Sequence, residues 1–277
     1  MVEEDDEIVI QANKGLSHYS RDLWRFRELF YFLAWRDILV RYKQTVIGVA
    51  WALIRPLVTM IVFTVLFGRL AGLSSPEGIP YPLMVFAAML PWQFFATALS
   101  ESSGSLLSNA NLISKVYFPR IIVPASSMMT SFADFLVTVG MMFLMMIWYR
   151  FVPDWRIAAL PVFAALAFAA AFGMGLWLCA LNVKYRDFRY IVPFILQFGL
   201  YLSPVGFSIT LIPQRWRLPY ACNPMVGVIE GFRWSLLRGS NAPEVPVLLV
   251  SALAAGVFFV SGIWYFHRVE RTFADII

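Results

Sequence analysis

The sequence predicts an all-α integral membrane protein, and this prediction rests on its composition and on its long apolar runs. Hydrophobic residues make up 60% of the 277 residues and charged residues only 14%, whereas soluble domains average about 45–50% apolar and about 25% charged residues. A soluble fold of this length would leave large apolar patches exposed to water. About six stretches are also long enough to cross a bilayer core that is about 30 Å thick.

The predicted spans cover residues 49–70, 82–100, 121–149, 157–182, 190–212 and 245–267. The third is longer than a straight crossing requires, so we expect it to tilt or to extend beyond the membrane. Prolines inside the spans, such as Pro91 and Pro204, are compatible with membrane helices when neighbouring helices or water satisfy the freed carbonyl groups.

The basic residues are unevenly divided between the segments that connect these spans. If the N-terminus lies in the cytosol, the cytosolic segments hold Lys14, Arg21, Arg25, Arg27, Arg36, Arg41, Lys43, Lys115, Arg120, Lys184, Arg186, Arg189, Arg268 and Arg271. The outer segments then hold Arg69, Arg150, Arg156, Arg215, Arg217, Arg233 and Arg238. Because cytosolic loops carry an excess of Lys and Arg, this division predicts a multi-pass protein with both termini in the cytosol.

The first residues differ from the rest of the chain. An acidic run extends from Glu3 to Glu7, which is unlike a secretory signal peptide. We therefore expect residues 1–20 to form a disordered cytosolic tail and residues 21–277 to form one transmembrane domain.

Residues 21–44 are predicted to form an amphipathic helix on the membrane surface. Leu23, Phe26, Phe30 and Leu33 recur at helical spacing, and such a helix fits with its apolar face in the acyl boundary and its cations toward anionic headgroups. The alternative is a solvated helix packed on a soluble domain, but no such domain follows. The candidate cations for a lipid headgroup are Arg21, Arg25, Arg27, Arg41 and Lys43; the alternative is that they only enforce topology.

Residues 213–241, between the last two predicted spans, are too long for a tight turn and too apolar for an ordinary solvated loop. Prolines and glycines divide the segment into short pieces with aromatic anchors. We expect short helices that dip back into the outer leaflet, since irregular backbone at membrane depth must be buried in protein or line a cavity. A plain amphipathic loop on the outer surface is the alternative.

Several chemistries find no support in the residues. The sequence has no phosphate loop of the GxxxxGK[ST] kind and no HExxH metal motif, and its basic residues are interrupted by apolar runs, unlike a nucleic-acid site. Among acids in or near the spans, Asp134 is expected to make a helix–helix contact, with a place in a polar pathway as the alternative. We predict no catalytic or metal-binding residue, and we interpret the chain as a conduit driven by an outside energy source.

Two predicted cytosolic loops have the character of docking segments. In the first, Leu112, Ile113, Val116 and Tyr117 share a short helical face, and a helix of this kind can enter a groove of a soluble partner. In the second, Tyr185 and cations alternate, a mixture that is common at interfaces but also fits a loop at the headgroups.

Here the motifs carry a resemblance to a known family. The segments NLISKVYFPR (111–120), LNVKYRDF (181–188), NPM (223–225), LPWQF (90–94) and RYKQTVIG (41–48) resemble the permease subunits of ABC-2 type polysaccharide exporters, and most of all the Wzm-type permeases of O-antigen export. The similarity runs from about Arg21 to the C-terminus. As a set, the motifs are specific for the permease family but discriminate poorly among glycan substrates.

The resemblance implies an inner-membrane homodimer that pairs with two copies of an ATP-binding subunit and moves a lipid-linked polysaccharide. ATP and Mg would be bound by that subunit and not by this chain. The implied coupling residues are Leu112, Ile113, Lys115, Tyr117, Phe118, Arg120, Tyr185 and Arg186. The implied channel or gate residues are Trp51, Tyr201, Phe207, Trp216, Tyr220 and Phe232.

Other functions stay open on the sequence alone. Export of capsule polysaccharide or teichoic acid would use the same mechanism. A membrane enzyme acting on lipid-linked sugars would use Glu101 and Asp134 as its acids, and an envelope scaffold would need neither.

Overall fold

The computed structural model describes residues 23–43, 48–73, 75, 78–185, 187–238, 240, 242–270 and 273. All regular structure in these residues is helical, as predicted. The helices are α1 Arg27–Lys43, α2 Gly48–Phe63, α3 Tyr81–Ser108, α4 Ala110–Ile113, α5 Ile122–Trp148, α6 Leu160–Lys184, α7 Phe188–Leu202, α8 Gln214–Tyr220, α9 Pro224–Leu236 and α10 Val245–Val269. The predicted tail, residues 1–20, lies outside the described residues.

Five helical segments are long and apolar enough to cross a membrane. They are Leu53–Leu70, Tyr81–Ser108, Ile122–Trp148, Trp155–Lys184 and Val245–Val269. In the first, α2 continues directly into the π-helical turns Thr64–Leu70, and in the fourth, the 3-10 turns Trp155–Ala159 lead into α6. These segments correspond to five of the predicted spans, so the multi-pass architecture is confirmed.

The remaining predicted span, residues 190–212, is not one continuous helix. α7 ends at Leu202 after 15 residues, a length of about 22 Å at about 1.5 Å per residue. Ser203 has an extended backbone, with ψ at 152°, because the residue before a proline is disfavoured in the helical region and Pro204 follows. The prediction was wrong from this point on, because the apolar composition continues although the helix does not.

Helix α1 packs in a way that differs from the prediction. Leu33 is buried in the core, and Leu23, Phe26 and Phe30 pack against it. The predicted apolar stripe therefore contacts the core of the protein, with Leu23, Phe26 and Phe30 partly buried. The exposed residues of α1, and of the residues just before it, are also aromatic: they include Trp24, Tyr31, Phe32 and Trp35.

Helix α3 lies at the centre of the bundle. It contacts α2, α5, α6, α7 and α9, and it is the most buried of the five candidate spans, whereas that of α2 is the least buried. Pro91 lies inside α3 and is buried. Ser105 on α3 lies 3.7 Å from the sulfur of the buried Cys179 on α6.

Helices α6 and α10 cross with their backbones almost in contact. A Cβ atom added to Gly262 would lie 2.3 Å from the carbonyl oxygen of Gly173, and one added to Gly173 would lie 2.4 Å from the backbone of Phe258. Small residues permit such close helix contact in membranes. Of the small-residue series Ala165, Ala169 and Gly173, Gly173 makes this contact and Ala165 is exposed.

This crossing makes a stability prediction. Gly262→Ala must push α10 away from α6, and overpacking of this kind costs about 1–3 kcal/mol. We expect the purified variant to lose its monodisperse size-exclusion peak at a lower temperature than the wild type. Gly256→Ala on the same helix is the matched control, because a Cβ atom there meets nothing within 4 Å. Equal thermal stability of the two variants would contradict the close crossing.

Candidate functional site

An ion-paired cluster joins α1 to two helices of the bundle. The guanidinium of Arg41 lies 2.7 Å from Asp134 Oδ2 on α5 and 3.3 Å from Glu101 Oε1 on α3. The hydroxyl of Tyr42 donates to Asp134 Oδ1. Asp134 is the most buried of the three charged groups. The predicted helix–helix contact of Asp134 is therefore confirmed, with α1 as its partner.

The protonation of Tyr42 supports this arrangement. Burial and the hydrogen bond to Asp134 raise the pKa of Tyr42 above its ordinary value of about 10. The phenol therefore stays protonated near neutral pH and remains a donor to the Asp134 carboxylate.

A second contact joins α1 to the residue that follows α3. Arg36 donates to the Asn109 side-chain oxygen at 2.9 Å, immediately after α3, and lies 2.8 Å from Asp37. We call the end of the bundle where α1 meets the end of α3 the α1 end, and the other the opposite end.

The predicted headgroup cations have different surroundings. Arg41 is engaged by two carboxylates, which neutralise it. Arg27 lies over the ring of Trp24 at 5.1 Å, and Arg25 and Lys43 are exposed. Arg21 lies outside the described residues.

The first predicted docking loop contains α4, and only part of the loop faces outward. Ile113 and Phe118 are buried in the core, so their side chains are not available to a partner, contrary to the prediction for a contact surface. Leu112 is half-buried, whereas Lys115 is exposed and Tyr117 is 61% exposed. Arg120 donates to the backbone carbonyl of Glu270 after α10.

The second loop follows α6. Tyr185 is exposed, with the Lys184 ammonium 5.2 Å from its ring centroid. Arg186 lies outside the described residues. Ser108 at the end of α3 and Arg189 at the start of α7 line one shared pocket, which places the second loop at the α1 end.

The segment between α7 and α10 is organised by one buried arginine that the sequence analysis missed. Arg233 on α9 is 5% exposed and donates to the carbonyl oxygens of Phe207 at 2.8 Å and Val205 at 2.9 Å. It also donates to Glu230 Oε1 at 3.1 Å. The one sequence signal was a cation within an apolar run, with an acid three residues before it.

The segment is folded back onto the end of α7. Asn223 caps α9 by accepting from the Met225 amide at 3.0 Å and donates to the Ser203 hydroxyl at 3.0 Å. The Tyr220 hydroxyl donates to the Leu202 carbonyl at 2.7 Å. The short helices predicted for this segment are present as α8 and α9.

The predicted channel or gate residues are divided between surface and core. Trp51, Tyr201 and Trp216 are exposed, while Phe207 and Tyr220 are partly buried. Phe232 is fully buried, with its ring centroid 6.1 Å from that of Phe135. Phe232 therefore belongs to the core of this chain and does not line an open path, contrary to the prediction.

An apolar-walled cavity of about 170 Å³ lies beside the ion-paired cluster. Helices α2, α3 and α5 enclose it, and its polar lining comes from Arg41, Arg55, Gln93, Thr97, Ser131, Asp134 and Thr138.

The five apolar spans, with α3 at their centre, define a multi-pass membrane protein, and a comparison with protein families identifies its type. The family described as "ABC-2 type transporter" matches residues 28–237, from α1 to just beyond α9. The chain belongs to this family, as its inner-loop motifs predicted.

Three curated relatives show how far the similarity extends. O-antigen export system permease protein RfbA of Myxococcus xanthus is 25% identical over 259 residues, which cover 93% of this chain and 98% of that protein. Inner membrane transport permease YadH of Escherichia coli is 24% identical over 221 residues, 75% and 84% of the two chains. Capsule polysaccharide export inner-membrane protein CtrC of Neisseria meningitidis is 26% identical over 210 residues, 73% and 76%.

The ion-paired cluster makes a second stability prediction. Asp134→Asn leaves the Arg41 guanidinium without its more buried partner, and losing a hydrogen bond to a charged group costs about 1.5–3 kcal/mol. Glu101→Gln is the control, since a pair this exposed contributes about 0–1 kcal/mol. Asp134→Asn should therefore lower the midpoint temperature of thermal unfolding of the purified protein more than Glu101→Gln does. Additive effects of Asp134→Asn and Arg41→Gln in a double-mutant cycle would show that the two side chains are not coupled.

Proposed function

We propose that this chain is the membrane-spanning permease subunit of a transporter that exports a lipid-linked polysaccharide across a bacterial inner membrane. The observation that carries the proposal is the match to relatives along nearly the whole chain, among them permeases named for O-antigen and capsule polysaccharide export. O-antigen export is the variant we favour, because RfbA is matched over more of both chains than CtrC.

Energy for export would come from a separate ATP-binding subunit, present in two copies beside two copies of this chain. The sequence has no phosphate loop of its own, so ATP and Mg would be held by that subunit. The α1 end would face the cytosol, because it carries most of the basic residues of the connecting segments. Both termini would then lie in the cytosol.

The second copy would dock on α2 and α7. Helix α7 exposes Tyr190, Phe194, Phe198 and Tyr201, and α2 exposes Trp51, Val58 and Ile61. Aromatic residues are enriched where proteins meet, and sugars also stack on aromatic faces. We therefore infer that two copies enclose a path between these helices, with Trp51 and Tyr201 on its wall and Trp216 and Tyr220 near its outer mouth.

The membrane-enzyme alternative receives less support. Its two acids, Glu101 and Asp134, are both paired with Arg41. A carboxylate held in this way is a structural partner of α1.

Gentle extraction of the tagged chain in mild detergent, followed by mass spectrometry, tests the proposed function. We expect an ATP-binding subunit in roughly equal amount, and deletion of the gene should leave glycan assembled inside the cell and absent from the surface. No ATP-binding subunit under several mild conditions, or normal surface glycan in a strain without a second exporter, would overturn the proposal.

The exposed part of the first loop makes a further prediction. Tyr117→Asp puts a charge where we propose that the ATP-binding subunit docks, and an aromatic side chain at the centre of such a contact typically contributes 2 kcal/mol or more. We expect the affinity for the subunit to fall by about thirtyfold, since every 1.4 kcal/mol is about tenfold, and both the co-purifying subunit and the surface glycan to fall with it.

The matched control is Tyr149→Asp, which alters an exposed tyrosine at the opposite end of α5. It should leave both readouts unchanged. Full export by the Tyr117→Asp variant would exclude this loop as the main contact.

A further inference from the structure

Arg55 is a charged residue in an unusual place. It lies in the apolar segment Leu53–Leu70, on the exposed side of α2, and its guanidinium makes no hydrogen bond or ion pair with any residue that the structure describes. A charge within a membrane span is costly, and such residues usually have a partner or a function. Its neighbour Thr59 bonds only to the Arg55 backbone carbonyl.

Arg55 borders the cavity of about 170 Å³ between α2, α3 and α5. One water needs roughly 10–15 Å³ in the same measure, so the cavity can hold a group much larger than a single water. Its walls are partly apolar, with Trp51, Phe94 and Phe135, and Gln93 and Thr97 add polar groups.

The polar lining contains hydrogen-bond donors that have no acceptor among the described residues. Ser131 is fully buried, lines the cavity, and its hydroxyl has no partner among the described residues. The acceptor Asp134 is already engaged by Arg41 and Tyr42. Buried polar groups are almost always hydrogen-bonded, so Ser131 and Arg55 together indicate a ligand that brings acceptors.

The charge of the cavity lining and the depth of the cavity in the membrane narrow the chemical class of the ligand further. Two arginines line the cavity, and because Arg41 is already paired with Asp134 and Glu101, Arg55 is the lining cation that lacks a partner among the described residues. Helix α3 has 28 residues and is therefore about 42 Å long, about 12 Å longer than the hydrocarbon core. If α3 begins at the opposite surface, Thr97 lies about 24 Å along it, close to the other boundary of the core, where lipid headgroups begin.

We propose that this cavity binds the phosphate group of a lipid, with the Arg55 guanidinium and the Ser131 hydroxyl as donors. The planar fork of arginine donates two hydrogen bonds to a phosphate at once, while Trp51 and Phe94 contact the first part of the lipid chain. The phosphate comes either from the lipid diphosphate of the cargo or from an anionic bilayer phospholipid. The first source rests on the proposed function and the second does not.

Native mass spectrometry of the full chain, with any subunit that co-purifies, tests the site. The probes are a polyprenyl diphosphate, phosphatidylglycerol and uncharged polyprenol, each titrated in the same detergent. We expect the wild type to retain a phosphate-bearing probe over the polyprenol. Arg55→Gln should weaken that retention by about tenfold, Arg55→Lys should recover part of it, and Ser131→Ala should weaken it by a smaller factor.

The control is Arg69→Gln, since Arg69 is an exposed arginine near the other end of the same span. It should bind like the wild type, and all variants must keep the wild-type elution profile. Preference for the diphosphate over phosphatidylglycerol assigns the site to the cargo, and equal retention of both assigns it to bilayer lipid.

Unchanged retention of the phosphate-bearing probes by Arg55→Gln would overturn the site, because the Arg55 guanidinium would then only extend to the membrane surface. The experiments can refute the lipid site and the proposed export function independently of each other. Lipid retention that depends on Arg55 in a chain that recruits no ATP-binding subunit would refute export alone. Normal export with unchanged retention in the Arg55→Gln variant would refute the site alone.

Discussion

Backbone carbonyls that are buried away from water must find donors within the protein. The break after α7 creates this requirement, because Ser203 is extended and the helix is not resumed. Arg233 satisfies it by donating to the carbonyls of Val205 and Phe207, and Glu230 balances its charge. The shape of the segment between α7 and α10 depends on this buried guanidinium, together with the hydrogen bonds of Asn223 and Tyr220 to the end of α7.

A buried acceptor is also supplied with donors at the α1 end. There the buried group that needs a partner is the Asp134 carboxylate, and α1 supplies Arg41 and Tyr42 from outside the bundle. A buried charge whose partner is lost is strongly destabilising, so the cluster fixes α1 on α5. Because α1 directly precedes α2, this attachment also sets where the first span starts and which residues border the cavity at Arg55.

The five spans could be predicted because each is a long apolar run, and a bilayer selects for that pattern directly. The end of α7 could not be read from hydropathy, since residues 203–212 are almost as apolar as the helix before them. The family of the chain was visible in its loop motifs. The site was only partly predictable: Phe118 and Phe232 share a residue type with exposed aromatics nearby, and only packing separates them. Arg233 was counted as an outer-loop cation, because its acceptors come from distant parts of the chain.

The crossing of α6 and α10 has a mechanical consequence. Where the Gly173 and Gly262 backbones nearly touch, neither helix can slide past the other without a clash, so the pair moves as a single rigid body. The contacts of α2 and α7 with the bundle are sparse, so these two helices have more freedom to move than α3, α5, α6 and α10. We therefore expect any alternation between open and closed forms to displace α2 and α7, with α6 and α10 as the fixed frame.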